Sequence, residues 1–152
     1  MRLIDDSLTD FDRICSRFNW SIPEYLNIAH QVCERHQQRG DQVAIYTENA
    51  AGNRASYRFA DLKEHSDRLA NALRARGVKR GDRVAIVLPQ AIETIVAHLA
   101  IHKLGAVSLP LAILFGPEAL EYRLRDSGAC AAIVHASRYD DIRQLQADLP
   151  EL

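Results

Sequence analysis

Two histidines lie at a spacing that could bind a metal ion. His98 and His102 are four residues apart, which would put both imidazoles on one face of a helix. A zinc protease motif would place a glutamate directly after the first histidine, but this position is Leu99, and no third ligand lies nearby in the sequence. We therefore interpret the pair as two partly exposed polar residues of a helix, and the sequence predicts no metal ligands.

A glycine- and lysine-containing segment, GVKRGD at residues 77–82, resembles a phosphate-binding loop in composition. A phosphate loop follows a strand and opens a helix, whereas this segment precedes a strand. We interpret it as a helix-to-strand turn in which the Asp82 carboxylate accepts hydrogen bonds from nearby backbone amides.

A group of cations surrounds the same turn and could form an anion site: Arg74, Arg76, Lys79, Arg80 and Arg83. Cations near the C-terminus of a helix stabilise its dipole and usually lie in water. We favour this second interpretation, so the cluster is not assigned a ligand.

Composition limits the class of protein. The 152 residues are 47% hydrophobic and 26% charged, with a formal net charge of -1, and this balance does not favour binding to nucleic acid. No apolar run is long enough to span a bilayer, and the N-terminus has no signal-peptide core, so we expect a cytoplasmic protein. Three cysteines without CxxC spacing argue against a disulfide framework and a zinc site.

The elements that must position any site are clearest in the middle of the chain. Residues 83–88 form a continuous apolar, β-branched run, which is typical of a strand buried on both faces. Helical periodicity follows over residues 91–104, and strand character returns over residues 107–109. Strand, helix and strand in this order predict a right-handed βαβ unit with parallel strands.

The flanking segments complete an α/β prediction. We expect helices over residues 5–17, 21–39, 59–76, 117–126 and 140–149, an antiparallel hairpin from strands 43–47 and 55–57, and a buried strand over residues 131–135. The predicted fold is α/β, with a predominantly parallel sheet, helices on both faces and an N-terminal β-hairpin. The strands that begin at Arg83, Val107 and Ala131 should be adjacent.

Three separated motifs resemble one family. The segment YRFADL at residues 57–62 is similar to its Y-T-F-x-E-L entry to a helix, residues 81–89 to its GDRVAI strand, and residues 103–111 to its K-x-G-A-v-x-x-P-L segment. Residues 20–149 thereby resemble the adenylate-forming (AMP-binding) acyl-CoA synthetase and ligase superfamily. The opening FNWSIPEYLNIAHQVCERH further resembles its medium-chain acyl-CoA synthetases.

The resemblance implies an activity that needs more than these residues. Members adenylate a carboxylic acid with ATP and Mg²⁺ and then transfer the acyl group to a thiol, commonly coenzyme A. Their phosphate loop, metal-binding glutamate, ribose-binding aspartate and C-terminal lysine come later in the family's sequence and do not occur here. Lys103 is no substitute, because in the last turn of a helix it should be a solvated cation.

We accordingly expect an N-terminal piece of a larger ligase. Residues 1–20 would be a helical extension, and residues 21–152 the first part of the AMP-binding domain, truncated before the phosphate loop. Alone, the chain should contain no catalytic residue, bind none of the cofactors and be inactive. Its exposed apolar surface should promote self-association. The full-length protein would use a carboxylic acid, which we expect to be a fatty acid, with ATP and coenzyme A.

The loop at residues 111–117 is the one segment to which we assign a ligand. It lies beyond the carboxyl end of the strand at residues 107–109, where open α/β sheets bind ligands, and it leads into a helix N-terminus. The resemblance implies that Phe115 and Gly116 help to line a coenzyme A site. In the alternative interpretation, Ile113, Leu114 and Phe115 pack against the remainder of the enzyme.

Two other functions stay open at this point. The chain could be a stand-alone, non-catalytic α/β binding or interaction domain, or the full protein could be an adenylation domain that loads a carrier protein. A downstream phosphate loop in frame would establish the ligase, and a downstream carrier domain would favour the last alternative.

Overall fold

The computed structural model describes residues 10–20 and 22–152. Its helices are α1 (Phe11–Arg17), α2 (Ile28–Val32), α3 (Phe59–Ala75), α4 (Ile92–Lys103), α5 (Pro117–Ser127) and α6 (Tyr139–Leu145). Its strands are β1 (Val43–Glu48), β2 (Arg54–Arg58), β3 (Arg83–Val87), β4 (Val107–Pro110) and β5 (Ala131–Val134). Short 3₁₀ segments span Glu34–Arg39, Ala136–Arg138 and Gln146–Asp148. None of the helices in these ranges has the length and apolar character needed to cross a membrane.

The parallel sheet has three strands in the order β4-β3-β5. Arg83 pairs with Val107 and Val84 pairs with Ala131, so β3 bonds to a parallel neighbour on each side. The predicted α/β fold is confirmed. The hairpin of β1 and β2 is also confirmed, but it forms a separate antiparallel sheet and does not extend the parallel one.

Helices cover both faces of this sheet, as the sequence predicts. Val84 and Ile86 point toward α3 and α4, where they pack with Leu73 and Ile101. Ala85 and Val87 face the opposite layer, which α5 and α6 supply. Alternate residues of β3 therefore enter two different cores, and this explains why the strand has no polar face.

Helix α3 begins without a side-chain acceptor at the residue before it. Arg58 occupies this position, and its side chain has no oxygen to accept a bond from an end-of-helix amide. Asp61 Oδ2 accepts a hydrogen bond from the Arg58 backbone amide at 2.8 Å. One of the two bonds of a capping box is therefore present.

The helix predicted over residues 21–39 is wrong in extent. Ser21, where the predicted helix begins, lies outside the described residues. The observed helix begins at Ile28, because Asn27 Oδ1 accepts a hydrogen bond from the His30 amide. It ends after five residues and is followed by the 3₁₀ segment. Tyr25 and Leu26, which fall within the predicted helix, are exposed, as is Ile28.

The terminal helices also differ from their predictions. Residues 5–9 of the first predicted helix lie outside the described part of the chain, and α1 begins at Phe11, where Asp10 caps it. No residue of α1 is buried, so Phe11, Ile14 and Cys15 do not face a core in the residues described. The last helix starts at Tyr139 and changes to 3₁₀ geometry after Leu145.

One side chain of the predicted cation cluster joins two elements of the sheet layer. Arg83 Nε donates to Ser127 O at 2.8 Å, and its Nη2 donates to Gly128 O at 2.6 Å. Gly128 ends α5 in the left-handed conformation, with φ of 59°. A Cβ at this glycine would lie 2.7 Å from Arg83 Nη2, so any larger residue must displace the guanidinium.

We expect Gly128→Ala to lower the free energy of unfolding by about 2 to 4 kcal/mol. About 1 to 2 kcal/mol would come from left-handed backbone strain, and the rest from weakened charged hydrogen bonds. Gly52→Ala is the matched control, since Gly52 has φ of 78° but open space around it, and it should show only the strain. Urea denaturation measures both; equal losses would contradict the role of Arg83.

Candidate functional site

The loop at residues 111–117 leaves the carboxyl end of β4 as predicted. Leu111 N donates to Ile86 O of β3 at 2.9 Å, so the loop starts against the central strand. Phe115 N donates to Ala112 O at 3.0 Å, which closes a tight turn. Gly116 O then accepts from Leu120 N at 3.0 Å in the first turn of α5. The loop thus connects the sheet to a helix N-terminus at the edge where open α/β sheets bind ligands.

Two arginines that the sequence analysis did not identify contact this loop. The Arg123 guanidinium carbon lies 4.2 Å from the centre of the Phe115 ring, in a cation–π arrangement. Arg138 Nη2 donates to Phe115 O, and its Nη1 pairs with Asp141 Oδ2 at 3.1 Å. No local sequence signal marks either residue, because Arg123 lies on α5 and Arg138 in the 3₁₀ segment before α6.

The Nε atom of Arg138 is buried and has no hydrogen-bond partner within the described residues. A buried donor without an acceptor is unfavourable, and an acceptor oxygen placed beside it would relieve this cost. The loop therefore has cationic donors on the side of Phe115, and these suit an anionic ligand better than an apolar one.

Phe115 and Gly116, the two residues assigned to a ligand, differ in their surroundings. Phe115 is half-buried and packs against the core between the sheet and α5. Gly116 is exposed, has φ of -69°, and would leave a Cβ in open space. Leu114 is 91% exposed. The turn does not need glycine for its backbone geometry. Phe115 packs against this chain's own core, whereas the alternative of a loop that packs against the remainder of the enzyme stays a prediction.

Two other arginines of the predicted cation cluster bind nearby chain atoms. Arg74 Nη2 donates to Asn71 Oδ1 at 2.8 Å, and Arg76 Nη1 donates to Ala72 O at 3.4 Å. Asp82 Oδ2 accepts from Lys79 N at 2.7 Å, which confirms the predicted turn. These contacts favour the interpretation of the arginines as helix-terminal cations.

The two histidines stack on one face of α4. Their ring centres are 6.0 Å apart, and His98 Nδ1 lies 3.1 Å from Ser108 Oγ. Burial, with a smaller effect of His102, lowers the pKa of His98, so its imidazole is neutral at pH 7. Across residues 10–20 and 22–152, no three His, Cys, Asp or Glu side chains gather in a way that could hold a metal ion.

The expectation that Lys103 is a solvated cation is wrong. Its side chain is only 9% exposed, and its Nζ lies 3.1 Å from Glu34 Oε1 and also bonds Asp67 Oδ1. Asp67 in turn pairs with Lys63 at 2.6 Å. Helix-end statistics could not reveal this cluster, because its partners come from elements far apart in the sequence.

We expect Gly116→Ala to leave the free energy of unfolding unchanged within about 0.5 kcal/mol, because the backbone is ordinary and a methyl group meets no neighbour. Urea denaturation beside Gly128→Ala checks this. A loss as large as that of Gly128→Ala would show that the turn does require glycine.

Comparison with known proteins places these features in a family. The family model described as AMP-binding enzyme matches residues 31–152. The acetyl-coenzyme A synthetase of Alkalilimnicola ehrlichii is 43% identical over 113 residues, which cover 73% of this chain and 17% of that protein. The matched segment therefore spans less than a fifth of the length of this relative.

Solved structures agree with the sequence match. The Brucella canis acyl-CoA synthetase superposes with a TM-score of 0.83 at 25% identity, over 91% of this chain and 27% of that one. The N-terminal domain of FACL13 from Mycobacterium tuberculosis gives a TM-score of 0.69 at 28% identity, over 81% of this chain and 31% of that one. None of these three proteins is named as a medium-chain synthetase, so that resemblance stays a prediction. The chain belongs to the AMP-binding enzyme family.

Proposed function

We propose that this chain is the N-terminal portion of an ATP-dependent acyl-CoA synthetase. The observation that carries the proposal is the 43% identity, over 73% of the chain, to a protein named acetyl-coenzyme A synthetase. The full-length protein would adenylate a carboxylic acid with ATP and Mg²⁺ and then form a thioester with coenzyme A. Within it, residues 21–152 would be the first part of the AMP-binding domain, and residues 1–20 an extension before it.

The role of these residues would be to build the first sheet layer and not to perform the adenylation. Attack on a triphosphate requires amide donors, cations and a metal directed at the developing charge. The buried Lys103 amine is already engaged, since it pairs with Glu34 and Asp67, and Arg83 binds the end of α5. Together with the later position of the family's phosphate loop and metal-binding glutamate, these contacts support the proposal that the 152 residues alone are inactive.

We expect the 152-residue chain to release no pyrophosphate when it is mixed with ATP, Mg²⁺ and a panel of acids that includes acetate and longer fatty acids. The physical reason is that the family's phosphate loop and metal-binding glutamate, which would hold the triphosphate and Mg²⁺, do not occur in these residues. A coupled pyrophosphate assay measures this, with an intact acetyl-coenzyme A synthetase as positive control. Pyrophosphate release above that of a heat-killed sample would overturn the proposal that these residues do not perform the adenylation.

We also propose that the loop at residues 111–117 contributes to the coenzyme A site through Phe115 and Gly116. The guanidinium groups of Arg123 and Arg138 at the loop support this, because phosphate oxygens accept hydrogen bonds from such donors. Gly116 would allow the close approach of a ligand, since no neighbouring atom fills the space beside it.

In the full-length enzyme, Gly116→Trp should raise the Michaelis constant for coenzyme A about tenfold and leave that for ATP nearly unchanged. The indole would occupy the open space beside the loop, whereas Gly116→Ala, the matched control, adds only a methyl group. Steady-state kinetics with each substrate varied in turn measures the effect. An equal loss for both substrates, or no change, would leave the loop as a packing element.

The same assay separates the proposed acceptor from a carrier protein. Turnover of the full-length enzyme with free coenzyme A supports the synthetase. Adenylation without thioester formation from free coenzyme A would favour the carrier-loading alternative.

A further inference from the structure

Ionisable side chains from three elements converge on the buried amine of Lys103 at the end of α4. Asp67 and Lys63 come from α3, Glu34 begins the 3₁₀ segment Glu34–Arg39, and His30 on α2 lies 3.3 Å from Glu34. Lys103 Nζ also lies 3.4 Å from Lys63 O. This group, hereafter the Lys103 cluster, lies between the body of the domain and the chain that precedes the hairpin.

Apolar contacts hold that preceding segment only weakly. Within residues 27–34, hereafter the docked segment, Ala29 and Cys33 are the buried hydrophobic residues, and both are small. Its larger apolar side chains, Ile28 and Val32, are 51% and 52% exposed. Burial of so little apolar area contributes only a modest part of the docking energy, so the polar contacts carry a large share.

Those polar contacts are few and specific. Asn27 Nδ2 donates to His102 O at 2.9 Å, at the C-terminus of α4. Glu34 Oε1 pairs with Lys103 Nζ at 3.1 Å, which links the other end of the segment to the same helix end. Lys103 keeps Asp67 as a second partner on α3, so the Glu34 contact is the one in the cluster that ties Lys103 to the docked segment.

We propose that the Lys103–Glu34 pair is an electrostatic latch, and that the docked segment opens as a unit, while the sheet stays folded, when the pair is broken. Loss of the Glu34 charge removes the attraction that favours the closed form, and loss of Lys103 leaves the partly buried Glu34 carboxylate without its lysine partner, so both changes favour the open form. Such sub-global opening is the behaviour expected of a segment with few buried apolar contacts.

The latch is sensitive to acid. Burial raises the pKa of Glu34 and of Asp67, but hydrogen bonds from Lys103, together with His30 at Glu34 and Lys63 at Asp67, outweigh it and hold both pKa values below their ordinary range. A carboxylate with a lowered folded pKa stabilises the closed form above its ordinary pKa, near 4. That stabilisation is lost as the pH falls through the lowered values. A cleft of about 630 Å³ adjoins the Lys103 cluster, and Arg74 and Asn71 are among the other residues that line it.

Cys33 gives a direct readout of opening. Its side chain is 2% exposed, its Sγ lies 3.7 Å from Phe59 O, and burial, partly offset by Lys103, raises the pKa of its thiol. The closed form therefore protects Cys33 from a thiol reagent, and the open form releases it as an ordinary thiol.

The test measures the rate at which dithionitrobenzoate labels Cys33 in the 152-residue chain with Cys15→Ser and Cys130→Ala. At pH 8, Glu34→Gln should raise this rate at least tenfold, and Lys103→Met should raise it further. Glu121→Gln is the matched control, because it removes the exposed pair of Glu121 with Arg125 at 2.8 Å and should leave the rate unchanged. Urea denaturation of each variant gives the global stability.

The labelling rate of Cys33 must exceed the rate that global unfolding alone would produce. If Glu34→Gln labels at the parent rate, or if its rate rises only in proportion to the population of the unfolded chain, the latch is overturned. If Lys103→Met fails to fold, the Glu34→Gln variant still tests the latch, since it leaves Lys103 paired with Asp67. In the chain without the Glu34 and Lys103 substitutions, hydrogen exchange of the docked segment should accelerate relative to that of β3 as the pH falls below about 4. An equal change in the exchange of the docked segment and of β3 would also refute the proposal.

Discussion

Burial of β3 on both faces is the constraint on which the rest of this structure depends. Its side chains alternate between the layer of α3 and α4 and the layer of α5 and α6, so neither layer can be removed without exposing half of the strand. The parallel pairing to β4 and β5 follows, since each crossover must carry a helix across one face. The candidate loop is placed by the same requirement, because β4 has to end beside β3 before the chain turns into α5.

The elements that local signals specify were predictable from sequence. The apolar run of β3, the Pro117 start of α5 and the Gly128 end of α5 each depend on residues that act over one or two turns. The start of α2 was not predictable in this way. The serine and proline at residues 21–23 resemble a helix start, but the helix begins only where Asn27 caps it and contacts the end of α4.

The candidate site likewise combines features that the sequence predicts with contacts that only the folded structure creates. The position of Phe115 and Gly116 beyond the carboxyl end of a strand could be predicted, because it is a property of topology, whereas their proposed role at a coenzyme A site came from the family resemblance. Arg123 and Arg138 reach the loop from α5 and from a segment after β5, and only the folded structure brings them to Phe115. The environment of Lys103 is the clearest failure of local reasoning, because a lysine in a final helical turn is usually solvated and here lies between carboxylates from two other elements.

The pairing of β3 with its neighbours also affects how the chain folds. The hairpin joins residues close in sequence, such as Glu48 and Arg54, and an isolated hairpin of this kind forms within microseconds. Val84 finds Ala131 only after a long stretch of chain has been ordered, so the sheet has a high contact order and closes late. During synthesis, the hairpin and α3 would therefore emerge and organise while the central strand still lacks its last partner, and the apolar residues of β3 would be the surface most exposed to chaperones in that interval.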